Sequence, residues 1–92
     1  MIWRISGLPR FFLHINDGAQ HIEDEEGSEL PDVAAAREEA LRAARQLWAA
    51  AILERRDIGM RRFLIADAEG HIVATLNMDE ALPSGLLRRL QR

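Results

Sequence analysis

The chain has no cysteine and no lysine among its 92 residues. The first absence removes disulfides, thiolate metal sites and a cysteine nucleophile together, and it is compatible with a reducing cytoplasm. The second makes every one of the 12 basic side chains an arginine. That reads first as a bias of composition and second as a preference for bidentate contacts. No apolar run approaches the roughly 18 residues that a membrane span needs. Residues 1–10 carry Arg4 and Arg10 and lack a continuous apolar stretch before a small-residue cleavage site. No signal peptide is expected there, and a cytoplasmic location is. Excess positive charge is missing as well. With a net charge of −3, a phosphate-binding face would require the arginines to segregate. They pair at Arg55 and Arg56, at Arg61 and Arg62, and at Arg88 and Arg89, yet nucleic acid is not the expected partner.

The sequence is also poor in catalytic words. Ser6, Ser28 and Ser84 lie near glycines, but no Gly-x-Ser-x-Gly elbow surrounds them. No His-x-x-x-His or His-Glu-x-x-His offers a zinc site. Neither acidic turn has the twelve-residue alternation of oxygen ligands that holds calcium. With no nucleophile, base pair or cofactor loop in view, the chain is not read as an enzyme, and no cofactor or metal is expected.

What is present is an ordinary globular composition, 48% hydrophobic and 29% charged, enough for one core and one domain. Residues 11–16 alternate: Phe11, Leu13 and Ile15 against Phe12, His14 and Asn16. Asp17-Gly18 supplies a tight turn, and residues 19–23 are the expected return strand. Residues 24–27 end it as an acidic turn, with Gly27 placed for a left-handed conformation. Pro31 then stiffens the lead into a helix over residues 33–55, with Asp32 as its N-cap.

At 100° per residue, Val33, Ala36, Ala40, Ala43, Ala44, Leu47 and Ala51 form one stripe of that helix, widened by Leu41, Trp48 and Ile52. The opposite arc carries Glu38, Glu39, Arg42, Arg45 and Gln46. The stripe is mostly alanine, so the helix can lie close to a sheet, with Leu47 and Trp48 over Leu13, Phe63 and Ile72. Gly59 is the expected stop. Residues 62–67 and 71–76 read as a second hairpin around Asp67-Ala-Glu-Gly70, with Ile72, Ala74 and Leu76 in phase. Beyond Pro83, Ser84 can cap a short helix whose Leu86, Leu87 and Leu90 share a side. The words around Gly27 and Gly70 are alike, but turns converge on such residues, so no duplication is inferred.

The order is therefore β-β-α-β-β: an α+β domain at residues 9–82 with a four-stranded, mainly antiparallel sheet under one long helix. Residues 1–8 are expected to be an extension, and residues 83–92 a short amphipathic helix. From Pro9 onward the chain resembles a family of small alphaproteobacterial domains of unknown function. The matching words are Arg10-Phe-Phe-Leu-His14-Ile with Asp17-Gly18, then Asp24-Glu-Glu-Gly27, Glu29-Leu-Pro-Asp32 with Ala35-Ala36 and Glu39-Ala40, and Asp67-x-x-Gly70. The resemblance implies a bacterial source and a fold, and assigns no catalytic residue. It departs at Leu13 and at Asn77-Met78. A weaker likeness is to HicB-type antitoxins, which also set a hairpin with Asp-Gly before a helix, and by analogy it supplies a functional alternative.

His14 stands out in mid-strand, away from the helix. It could bind an anion or metal or titrate near neutral pH, or it could simply hydrogen-bond across the sheet and order it. The group His21, Asp24, Glu25 and Glu26 is better read as a solvated turn than as a metal site. Arg37, inside the apolar arc, is expected to snorkel or to pair with Asp32 or Glu29. The sheet face away from the helix would present Phe12, His14, Leu64 and Val73, more apolar surface than a solvated face carries. Either Leu86, Leu87 and Leu90 fold back onto it or a second copy covers it. A homodimer is the favoured expectation, in a small interaction module of regulatory or stress-related role, with an unidentified protein partner as a further option. An antitoxin-like partner of protein or nucleic acid is the alternative, and an enzyme of unrecognised type comes last.

Overall fold

The alternation at residues 11–16 becomes the strand β1 (Arg10–Asn16), from which the sheet grows. The computed structural model describes residues 7–58 and 61–90, without the side chains of Leu87 and Leu90. After β1 come β2 (His21–Ile22), β3 (Ser28–Glu29), the helix α1 (Val33–Glu54), β4 (Arg62–Ala66) and β5 (Ile72–Asn77). A 3-10 helix (Met78–Ala81) and α2 (Ser84–Leu90) follow. The fold is α+β: an open antiparallel sheet in the order β2-β1-β4-β5, with β3 also paired to β1, and α1 across one face. Among the described residues, no helix is long and apolar enough to cross a membrane.

The single return strand expected at residues 19–23 is instead two short pieces on one edge of β1. Ile22 and His21 pair with Ile15 and Asn16, while Ser28 and Glu29 pair with Phe11 and Arg10. Between them the chain detours through residues 23–27. The first turn is closed by side chains: Asp17 Oδ1 accepts from the N–H groups of Ala19 (3.0 Å) and Gln20 (2.6 Å), and Asn16 Oδ1 from that of Gly18 (2.8 Å).

Asp32 is the N-cap of α1, accepting from Ala35 N–H at 2.8 Å. The helix ends at Glu54, because Arg55 turns left-handed (φ 56°) and the N–H groups of Arg55 and Arg56 close on Ile52 O and Ala51 O. The expected stop, Gly59, lies outside the described residues. The inner stripe holds where the sheet lies beneath it. Ala36, Ala40, Ala44 and Ala51 are buried with Phe11, Phe63, Ile65, Leu76 and Met78, flanked by Leu13, Ile15, Leu41, Leu47 and Trp48. It fails at Val33, 37% exposed in the first turn, and at Ile52, 68% exposed, which lies about 100° around the helix from the buried Ala51.

A second correction comes from a β-bulge. Ile65 pairs with Ala74 but Ala66 pairs with Ile72, so Val73 is the extra residue. The bulge breaks the phase of β5. Ile72, expected inward with Ala74 and Leu76, instead joins Ala66 on the far face and is 52% exposed. Leu47 and Trp48 do pack on the core that holds Leu13 and Phe63, but Ile72 is not in it.

Past β5, the chain is held on the helix side of the sheet. Met78 is 2% exposed, and Trp48 Nε1 donates to its carbonyl at 2.8 Å. Arg37 pairs with Glu80 and reaches Thr75 O, rather than Asp32 or Glu29. The other Glu80 oxygen accepts from Asn77 N–H at 3.0 Å. These bonds seat the 3-10 helix against α1. The fold-back of α2 is not adopted, since Ser84, Gly85, Arg88 and Arg89 are exposed and Leu86 is 41% exposed. The Leu87 and Leu90 side chains lie outside the described ones.

Candidate functional site

Register defines the sheet face that α1 does not touch. Phe12, Ala66 and Ile72 form one row across β1, β4 and β5; His14, Leu64 and Thr75 form the next; Asn16, Arg62 and Asn77 form the third. Side chains directly opposite on neighbouring strands share a face, so Phe12, Leu64, Ala66 and Ile72 make one apolar corner. Ala66 is buried to 2% between its larger neighbours, while Ile72 and Val73 are 52% and 41% exposed. Of the residues singled out from sequence, Phe12, His14 and Leu64 are thus brought together, with Val73 at the bulge beside them. Leu86 is not brought to them. Ile72 was missed, because no sequence signal marks where the ladder slips; Ala66 shares the face of Leu64 by simple alternation.

Carboxylates stand in the turns that adjoin these strands. The β4–β5 loop continues from Ala66 with Asp67 and Glu69, and the detour along β1 carries Glu25 and Glu26, both exposed. Arg10, at the start of β1, is held by Glu29 (3.9 Å) and by the Glu26 carbonyl (2.6 Å).

The detour is organised by Asp24 and His14. Asp24 Oδ2 accepts from Leu13 N–H and Oδ1 from Gly27 N–H, each at 3.1 Å. One carboxylate thereby replaces the ladder partner that β1 loses where β2 and β3 separate. Asp24 N–H in turn donates to His14 Nδ1 at 3.0 Å. With Nδ1 an acceptor, the proton of the neutral ring sits on Nε2. The His14 ring lies 6.2 Å from that of Phe12 and 5.5 Å from that of His21, centroid to centroid. His14 therefore orders the edge of the sheet, with a main-chain partner. Gly27 (φ 70°) comes close as well: a Cβ there would lie 2.8 Å from Phe11 O and 2.8 Å from the Phe12 ring.

Asp67, Glu69 and His71 offer potential ligand atoms within 4.8 Å of one another, a grouping that sequence reading passed over in favour of His21 and Asp24. The same atoms close the hairpin. Asp67 Oδ1 accepts from Glu69 and His71 N–H at 2.9 Å, and Oδ2 lies 3.4 Å from His71 Nδ1. The amide of His71, above all, holds the Asp67 carboxyl below its usual pKa; that of Gln20 does the same for Asp17. Two hollows open to solvent, of about 320 and 230 Å3, are lined by Glu39, Arg42, Ala43 and Gln46 and by Asn16, Asp17, Gly18 and Arg62. Neither joins a nucleophile to a base, and neither includes His14.

A family model described as a domain of unknown function (DUF6894) matches residues 10–79, and the chain belongs to that family. The match runs from β1 into the 3-10 helix, and α2 lies beyond it. No curated protein and no solved structure matches the chain.

Proposed function

We propose that this member of the DUF6894 family is a small, non-catalytic, cytoplasmic interaction module that self-associates as a homodimer through the open face of its sheet, in a regulatory or stress-related role. The observation that carries the reading is the corner of Phe12, Leu64, Ala66 and Ile72, where Ile72 and the neighbouring Val73 stay 52% and 41% exposed while the detour at Gly27 reaches only the Phe12 ring. An antiparallel sheet tolerates water on one face when that face is polar. Here the first of its three rows, Phe12, Ala66 and Ile72, is wholly apolar, and Leu64 adjoins it from the second. Fully burying an exposed aliphatic side chain is worth about 1.5–3 kcal/mol, so a partner surface gains part of that from each of Ile72 and Val73, which are 52% and 41% exposed. Two-fold pairing makes each contact count twice.

Sedimentation velocity at roughly tens of micromolar, a range in which moderate homodimers form, tests it on the full chain and on Phe12→Asp. A dimer that Phe12→Asp converts to a folded monomer, with its circular dichroism unchanged, is the expected result. A chain that stays monomeric throughout that range overturns the self-association.

A further inference from the structure

We infer that the Arg37–Glu80 pair is a guard on the free edge of the sheet: it keeps β5 from taking a further strand, and the strand it excludes is β5 of a second copy. The inference concerns the edge of the sheet and does not depend on its open face.

The order β2-β1-β4-β5 leaves two edges. On one, β2 and β3 are two residues each, too short to template a strand. On the other, β5 runs for six residues, with no strand beyond it among the described ones. A long edge with open N–H and C=O groups invites a further strand, and two copies of one edge can pair antiparallel about a two-fold axis. The ladder shows which groups face out. Met78 N–H donates to Arg61 O at 3.3 Å, and bonded and non-bonded pairs alternate along an antiparallel ladder. With Leu76 opposite Phe63 and Thr75 opposite Leu64, Leu76 exchanges its bonds with β4. Thr75 and Asn77 turn their N–H and C=O groups to the free edge.

Two of those outward groups are already taken, and by the same ion pair. Arg37 reaches over from α1, where one guanidinium nitrogen donates to Thr75 O at 3.4 Å and the other to Glu80. The second Glu80 oxygen accepts from Asn77 N–H at 3.0 Å. A strand added to β5 needs that carbonyl and that amide, so it can bond there only by displacing the pair. Upstream, the bulge at Val73 breaks the even spacing that an added strand would follow. Trp48 Nε1 and the buried Met78 already hold the 3-10 helix to α1. The bond from Arg37 to Thr75 O adds nothing to that seat; it closes an edge acceptor.

Arg37→Met keeps the aliphatic stem and removes every donor. In sedimentation velocity of the full chain at roughly tens of micromolar, it should run at about twice the wild-type mass at equal concentration, because a two-fold edge contact doubles whatever unit the wild type forms. Glu80→Ala, which frees the Asn77 amide, should double the mass in the same way. Thr75→Pro added to either variant should return the mass to the wild-type value. Proline there removes an N–H that points away from β4 and is tolerated on an edge strand, so it closes the edge without touching the ladder. Circular dichroism of each variant checks that the fold is kept. Arg37→Met and Glu80→Ala chains that both keep the wild-type mass overturn the guard and leave the pair as a seat for the 3-10 helix. Association that Thr75→Pro does not reverse overturns it too, since it would come from unfolding or from another surface. Neither result bears on the open face, which Phe12→Asp tests by itself.

Discussion

Gly27→Ala and Gly70→Ala form a matched pair that tests how the two acidic turns differ. Both glycines have positive φ, 70° and 89°, so alanine at either position costs about 1–2 kcal/mol of left-handed strain. Around Gly70 nothing lies within 4 Å of an added Cβ, and the cost should stop there. At Gly27 the new methyl would sit 2.8 Å from Phe11 O and from the ring of Phe12. Neither can give freely. Phe11 is 5% exposed in the core, its strand pairs with β3 at that point, and the Phe12 ring lies over the open face beside Ala66. Overpacking of this kind adds about 1–3 kcal/mol. The expected loss is about 2–5 kcal/mol for Gly27→Ala against about 1–2 for Gly70→Ala. For a chain of 92 residues, each kcal/mol moves the melting temperature by about 4–8 °C. Urea melts with linear extrapolation read the difference directly, provided the slope m is unchanged. Equal losses at the two positions, or a loss below about 1 kcal/mol at Gly27, would refute the close approach of the detour to β1.

Leu76→Ala, at a site with no exposure, should cost about 2–5 kcal/mol in denaturant melts, and the half-buried Leu47→Ala roughly half of that; the reverse order would mean that the helix presents a different face. Asp17 and Asp67 have folded pKa values lowered below 3.8, chiefly by backbone N–H donors, so the unfolded chain takes up protons first as pH falls. Their stabilisation is complete above about pH 4 and lost as pH drops through the folded values; in acid melts, Asp17→Asn with Asp67→Asn should flatten that limb, and an unchanged slope would contradict the assignment. Random DNA or RNA should not be retarded at physiological salt, given the net charge of −3; micromolar binding that weakens steeply with salt would promote the antitoxin-like alternative.

Local signals and tertiary decisions separate cleanly along this chain. Asp32 as N-cap, the alanine stripe, the alternation of β1 and the four-residue hairpin at Asp67 were all legible, because each is governed by residues within a few positions of one another. So was the family resemblance, and the matched residues 10–79 include the words at Arg10–Ile15 and Asp24–Gly27 that build β1 and its detour. The likeness of the turns at Gly27 and Gly70 reflects a shared local need, an aspartate that accepts amide hydrogens before a glycine of positive φ. Their long-range roles differ: Asp67 closes only its own hairpin, while Asp24 reaches Leu13 and His14 across the sheet.

What sequence could not decide was everything set by register and by what packs opposite. The slip at Val73 turned Ile72 outward, because a bulge costs one residue of phase and leaves no mark in composition. Ile52, at the edge of the apolar arc about 100° from the buried Ala51, stayed exposed. Arg37 found Glu80, 43 positions away, and that contact, with Trp48 and Met78, seated the end of the domain against α1. Periodicity tells which side of an element is apolar; only the packed structure tells what lies opposite, and among the described residues it leaves Ile72, Val73 and Leu86 exposed.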